Sequence, residues 1–145
     1  MIGILLTKKC DYGFRVIRAL ASDDKRLVKD MCIEEQIPEQ YTYKILKKLE
    51  HAGLVQSFRG RDGGYQLAKP LSTFTIYDVV SAIEEHPFIV ECLRDDVSCP
   101  LTSSENPCAV HLEFERLQRM LVDEMKNKYM SDIIKKESKC HDPTV

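Results

Sequence analysis

Cys92, Cys99, Cys108 and His111 follow one another in a 145-residue chain with six, eight and two residues between them. Thiolates are soft ligands and imidazole suits iron, so this donor set fits a metal ion or an iron-sulfur cluster. Structural zinc sites usually use cysteine pairs roughly two to four residues apart. No such pair occurs here, and the wide gaps suit a cluster wrapped by a loop. A zinc site or a thiol redox switch is the alternative, and three buried thiols acting as small hydrophobes is the bland one. Pro100, Pro107, Asp95, Asp96, Ser103 and Ser104 interrupt the same stretch, which has little other reason to be ordered. The remaining cysteines read differently. Cys10 and Cys32 fall on expected helices as packing residues, and Cys140 lies beside His141 in a polar tail over 138–145 expected to be mobile.

The segments before that loop are strongly periodic. Tyr12, Val16, Ile17, Ala19 and Leu20 predict a helix over Lys8–Ala21, ended by Ser22, Asp23 and Asp24. A short amphipathic helix is expected over Val28–Gln36, and Ile37 and Pro38 break the chain before a stronger helix over Glu39–His51, stopped by Gly53. Two short helices joined by a tight turn make a helix-turn-helix. On a helical wheel Thr42, Ile45, Leu46, Leu49 and Ala52 share the core side. Gln40, Tyr43, Lys44, Lys47 and His51 share the other, and Tyr41 lies at the border. An amide suits base edges and lysines suit phosphates.

Leu54–Phe58 and Tyr65–Leu67 then read as two strands around a turn holding Arg59, Gly60, Arg61, Asp62, Gly63 and Gly64. Asp62 and Gly63 are expected to supply the positive backbone angles of a tight hairpin. Such a hairpin is a wing, and Arg59 and Arg61 at its tip can approach a DNA backbone or enter a minor groove. The net charge is -2, yet between Gln40 and Lys69 six basic residues (Lys44, Lys47, Lys48, Arg59, Arg61, Lys69) face two acids (Glu50, Asp62). A local positive field is what attracts phosphate. The candidate DNA-contacting residues are therefore Gln40, Tyr41, Tyr43, Lys44, Lys47, Arg59 and Arg61.

Thr75 can cap a helix from Ile76 to Glu85, ended by His86 and Pro87. Beyond the cysteine loop, Val110, Phe114, Leu117, Leu121, Met125, Tyr129 and Ile133 form a stripe on one long helix, more than a small head can cover, so packing against a second copy is expected.

The order of these features resembles the Rrf2 family of bacterial regulators, in particular its cluster-binding members of the IscR and NsrR type. Its most specific parts are Leu6, Thr7 and Lys8, the wing from Arg59 to Leu67 and the three cysteines, and the resemblance runs from Leu6 to about Lys136. It implies a homodimeric regulator whose cluster, 2Fe-2S or 4Fe-4S, controls DNA binding. It further implies that Cys92, Cys99 and Cys108 are the cluster thiolates. The fourth ligand is then either His111 or, in the NsrR-like pattern, Asp11 of the partner subunit. His111 is preferred because it lies in the same loop and imidazole binds iron better than a carboxylate. The second gap, eight residues, is longer than in the family's pattern.

The expected fold is mainly α with a small β-hairpin wing: a winged helix-turn-helix over 1–88, a cluster-binding loop over 89–108 and a dimerisation helix over 109–137. The length and 43% hydrophobic content fit one compact domain with an appendage. No run of about 18 apolar residues occurs, and Met1–Leu6 is too short for a signal peptide, so a cytoplasmic protein with reduced thiols is expected. No nucleophile-base pair, phosphate loop or acid pair suggests an enzyme. The expected partners are a second copy and a pseudo-palindromic double-stranded DNA. A winged-helix module that binds proteins and no DNA is the remaining competitor.

Overall fold

Thr7 opens the first helix by accepting the Cys10 N–H on its hydroxyl, and α1 runs over Lys8–Ala19. The computed structural model describes residues 6–134, so the expected tail with Cys140 and His141 lies outside the described residues. Cys10, Val16, Ile17, Ala19 and Leu20 are buried, as the periodicity requires. α2 covers Val28–Glu35 and α3 covers Glu39–His51. Between them Gln36 takes a left-handed conformation, φ 54°, and the Ile37 N–H reaches back to the Cys32 carbonyl at 3.2 Å, closing the turn in a helix-ending bond pattern. Ile37 is thereby buried, and Pro38 caps α3.

The angle between these helices is fixed by polar contacts as well as packing. Arg15 donates to the Glu35 carbonyl at 3.1 Å, and Arg18 is ion-paired with the Glu35 carboxylate, whose side chain is 6% exposed. Thr42 is buried but satisfied, donating to the Pro38 carbonyl at 3.0 Å and accepting from the Cys32 thiol at 3.3 Å. α3 ends at Gly53, φ 77°, with the Leu54 N–H bonded to the Leu49 carbonyl at 3.0 Å. Thr42, Ile45, Leu46 and Leu49 face the core as expected. Ala52 is exposed instead, because it caps the helix and the chain turns away there.

β1, Val55–Phe58, pairs antiparallel with β2, Gly64–Leu67, in the register Val55 to Leu67 and Phe58 to Gly64. The positive angles of this hairpin fall at Gly60, φ 93°, and Gly64, φ 141°, not at Asp62 and Gly63. Gly63 is required by space: a Cβ there would lie 2.7 Å from the Phe58 carbonyl oxygen and 2.8 Å from that of Gly60. Arg26 adds a further bridge, exchanging both backbone hydrogen bonds with Tyr65 at 2.8 Å. A Cβ on Gly64 would sit 2.7 Å from the Arg26 carbonyl oxygen. Gly64→Ala therefore meets both a forbidden angle and rigid backbone, and is expected to cost about 1–3 kcal/mol, read as a lower urea midpoint.

Thr75 and Asp78 form a reciprocal capping box at the start of α4, Ile76–Ile83, whose Val79, Val80 and Ile83 complete the core. That helix ends two residues earlier than expected. α5 spans Ala109–Asn127. The helix expected over 109–137 breaks at Lys128, which is extended. Its carbonyl accepts the Ile76 N–H at 3.0 Å, and the Met130 N–H donates to the Phe74 carbonyl at 3.0 Å. A short α6, Met130–Ile133, follows, and Met130 and Ile134 are buried in the head. Burial of these two side chains outweighs continuation of the helix.

The stripe on α5 is accordingly divided. Of its members on α5, Met125 is buried in the chain's own core with Leu121 packed there, Phe114 is half-buried, and Val110, 60% exposed, and Leu117 are exposed, with Leu112 and Met120 exposed outside the stripe. No helix among the described residues is long and apolar enough to cross a membrane.

Candidate nucleic-acid interface and cysteine loop

α3 presents Gln40, Tyr43, Lys44 and Lys47 on one exposed stripe, at spacings that bring successive side chains over one another along a helix. Arg59 and Arg61 are exposed in the turn between β1 and β2. Tyr41 is exposed too, but its ring lies 5.9 Å from that of Tyr12, and the ammonium of Lys8 and the guanidinium of Arg15 both approach the Tyr12 ring. Tyr41 thus ties the start of α3 to α1.

Two neighbours of the wing carried no sequence signal. Lys25 lays its ammonium 4.1 Å from the centre of the Phe58 ring and donates to the Asp62 carbonyl at 3.2 Å, bracing the wing turn from outside. Gln66 donates to the Asp23 carbonyl from the other strand. Lys48 does not join the exposed stripe. Its ammonium donates to the Ile83 carbonyl at 2.7 Å.

The residues 84–108 form a string of turns between α4 and α5. Cys92 sits in a single 3-10 turn, Glu91–Leu93, and just beyond it Arg94 grips Asp96 at 2.6 and 3.0 Å. That hydrogen bonding holds the Asp96 carboxyl below the usual carboxylate range. Thr102 links the other two thiol-bearing residues: its N–H donates to the Cys99 carbonyl at 3.4 Å, and its hydroxyl accepts the Cys108 N–H at 2.9 Å. Cys108 is also the N-cap of α5, with no side-chain capping bond. Gln118 on α5 holds the loop's beginning, accepting the Ile89 N–H and donating to the Pro87 carbonyl, both at 2.9 Å.

Cys92, Cys99 and Cys108 are half-buried and free of disulfides. His111, one turn into α5, has a buried Nδ1 with no hydrogen-bond partner. A buried unsatisfied nitrogen is costly, and a metal ion is one way to satisfy it. The donor chemistry therefore fits iron or an iron-sulfur cluster. As placed, however, the side chains are not closed around a common point: no three His, Cys, Asp or Glu among the described residues are gathered tightly enough to hold a metal ion. Asp11 is remote from this set in role, being exposed on α1 and ion-paired with Arg15 at 3.1 Å. Cys10 is buried, and burial pushes its thiol above its ordinary range, so it is a packing residue with little thiolate at neutral pH.

Comparison with known proteins places this geometry. The model of the Rrf2 family, described as an iron-dependent transcriptional regulator, matches residues 6–136. The chain is 30% identical over 130 residues to a putative HTH-type transcriptional regulator of Aquifex aeolicus (strain VF5), covering 88% of this chain and 90% of that one. It is 36% identical over 90 residues to the HTH-type transcriptional regulator NsrR of Geobacillus kaustophilus (strain HTA426), covering 60% of this chain and 61% of the relative. Among solved structures T. potens IscR superposes with a TM-score of 0.67 at 22% identity, covering 88% of this chain and 83% of that one, a likeness of fold.

Proposed function

The chain belongs to the Rrf2 family of transcriptional regulators, and from that premise we propose that it is a homodimeric DNA-binding regulator whose output is set by an iron-sulfur cluster held in its cysteine loop. The relatives are named as regulators, and the chain is a DNA-binding regulator rather than an enzyme. In this reading Gln40, Tyr43 and Tyr41 approach base edges from α3, Lys44 and Lys47 neutralise phosphates, and Arg59 and Arg61 follow the backbone from the wing. Two copies, joined through Val110, Leu112, Leu117 and Met120 of α5, would set two such heads on successive major grooves of a pseudo-palindrome.

Cys92, Cys99 and Cys108 would hold the cluster, with His111 as fourth ligand. When bound, a cluster supplies a centre whose charge and integrity respond to electrons and small reactive molecules. The carrying observation is the buried, unpartnered Nδ1 of His111 just past a loop that carries three free thiols. Asp11 of the partner subunit is the competing ligand, and on this chain Asp11 already has Arg15 as its counter-ion. A second reading, a thiol switch without metal, is favoured by the open arrangement of the donors.

Iron and acid-labile sulfide analysis of anaerobically reconstituted protein separates the readings. The wild type should be coloured and contain both elements, His111→Ala should lose most of its iron, and Asp11→Ala should keep it. Protein that takes up iron and loses it only in Asp11→Ala assigns the fourth ligand to the partner. Colourless protein without sulfide leaves the zinc site or the thiol switch, which zinc analysis at about one ion per chain separates.

A further inference from the structure

Ile83 is the last residue of α4, where the chain leaves the helix for the cysteine loop. Its side chain is almost fully buried against α1 at Gly13, where a Cβ would stand 1.9 Å from Ile83 Cδ1. Its carbonyl is one of the orphan acceptors at a helix end, where the helix dipole is negative and a cation is favoured. The cation that fills this position is the ammonium of Lys48, 2.7 Å away, from the last turn of α3. The next residue, Glu84, is held from a third side: the Thr7 hydroxyl donates to its carboxylate, and the Cys10 thiol lies 3.9 Å from the same oxygen. Recognition helix, first helix and loop root therefore meet at two consecutive residues.

Lys44 and Lys47, on the same helix, are exposed, whereas Lys48 is half-buried and turned inward. A lysine engaged with a backbone carbonyl of another helix contributes nothing to a phosphate, yet it fixes the end of α3 relative to the end of α4. A shift of the loop root must either carry Lys48 with it or break a charge-assisted hydrogen bond.

We propose that the Lys48 to Ile83 contact is the mechanical joint through which the state of the cysteine loop reaches the recognition helix, making Lys48 a positioning residue for DNA binding rather than a DNA contact. This rests on the reading of the loop as the sensing element. It does not depend on which group the loop holds.

Linkage is reciprocal: if the loop biases DNA affinity, bound DNA must bias the loop by the same factor. The test uses iron-free, full-length protein, N-ethylmaleimide, and a duplex selected from a random-sequence library for binding to the wild type. Labelling rates at Cys92, Cys99 and Cys108 are followed by peptide mass spectrometry with and without saturating duplex. In the wild type the duplex should change these rates by about fivefold or more. Lys48→Met should still bind the duplex while the change falls below about twofold, and Lys48→Arg, which can still donate to the Ile83 carbonyl, should restore it. Melting curves establish that each variant folds, and Lys48→Gln takes the place of Lys48→Met in the same comparison if the latter does not. An undiminished change in the Lys48 variants overturns the joint, as does a wild type whose labelling ignores the duplex. A wild type that binds no iron but shows the linkage and its loss in Lys48→Met overturns the cluster and supports the joint.

Discussion

Cys108→Ala, purified and reconstituted without oxygen, should retain less than about a tenth of the wild-type iron, while its iron-free form melts at nearly the same temperature as iron-free wild type. Both halves follow from where the residue sits. Loss of even an outer partner of a metal ligand typically weakens metal binding about 10–100-fold, and loss of the ligand itself should do at least as much. The fold, by contrast, asks little of this thiol. Cys108 caps α5 without a side-chain capping bond, and its tie to the loop runs through its backbone N–H to Thr102, which alanine keeps. A variant that keeps its iron would remove Cys108 from the ligand set. A variant that loses iron only because it unfolds would betray itself in the melting curve. Cys10→Ala makes the useful contrast, since that thiol is buried in the core and is expected to affect stability and leave iron content alone.

Lys44→Ala combined with Arg59→Ala should weaken operator binding about a hundredfold for each bound head at moderate salt and flatten the plot of log affinity against log salt by about two units of slope per head. Each side chain is exposed and unpaired by any hydrogen bond described above, so its removal costs the fold little. A charge-assisted hydrogen bond to phosphate contributes about 1.5 kcal/mol at its lower end, so two such losses on each head give about 3 kcal/mol, or roughly a hundredfold, per head. Each phosphate contact also releases about one counter-ion, which gives the change in slope. Filter binding or fluorescence anisotropy over a salt series measures both. A loss of affinity with an unchanged slope would mean that these residues read bases or position others. No loss in either would take the wing and α3 out of the interface.

The helix α3 was legible in the sequence because burial imposes a period: Thr42, Ile45, Leu46 and Leu49 face inward, and Gln40, Tyr43, Lys44 and Lys47 face out. The presence of the wing was legible from Asp62 and the glycines between two short strand-like stretches, but its turn was not, because Gly60, Gly63 and Gly64 are all available and only the surrounding backbone decides which takes the positive angle. Gly60 and Gly64 take it, the latter because Arg26 approaches from a strand of one residue that has no pattern at all. Lys25 and Lys48 were equally opaque. Each looks like surface charge, and only the fold brings Phe58 beneath one and the Ile83 carbonyl beneath the other. The end of α5 misled for a physical reason: Tyr129 and Ile133 continue the helical spacing past Lys128, so periodicity could not reveal that the backbone leaves the helix to pair with Phe74 and Ile76. Of the candidate site, the thiols and His111 were visible as residue types, and their open arrangement was not.

The return of Met130 and Ile134 to the head sets an order on synthesis. The helices and hairpin that would meet DNA are complete by Leu67, yet among the described residues the core beneath them also draws on Met130 and Ile134. A chain emerging from the ribosome at about 5–20 residues per second therefore exposes all three loop thiols about 1–5 seconds before Met130 and Ile134 can join the core. In the proposed reading, iron can reach those thiols on the nascent chain before Met130 and Ile134 pack onto the segment around Leu71 and Phe74.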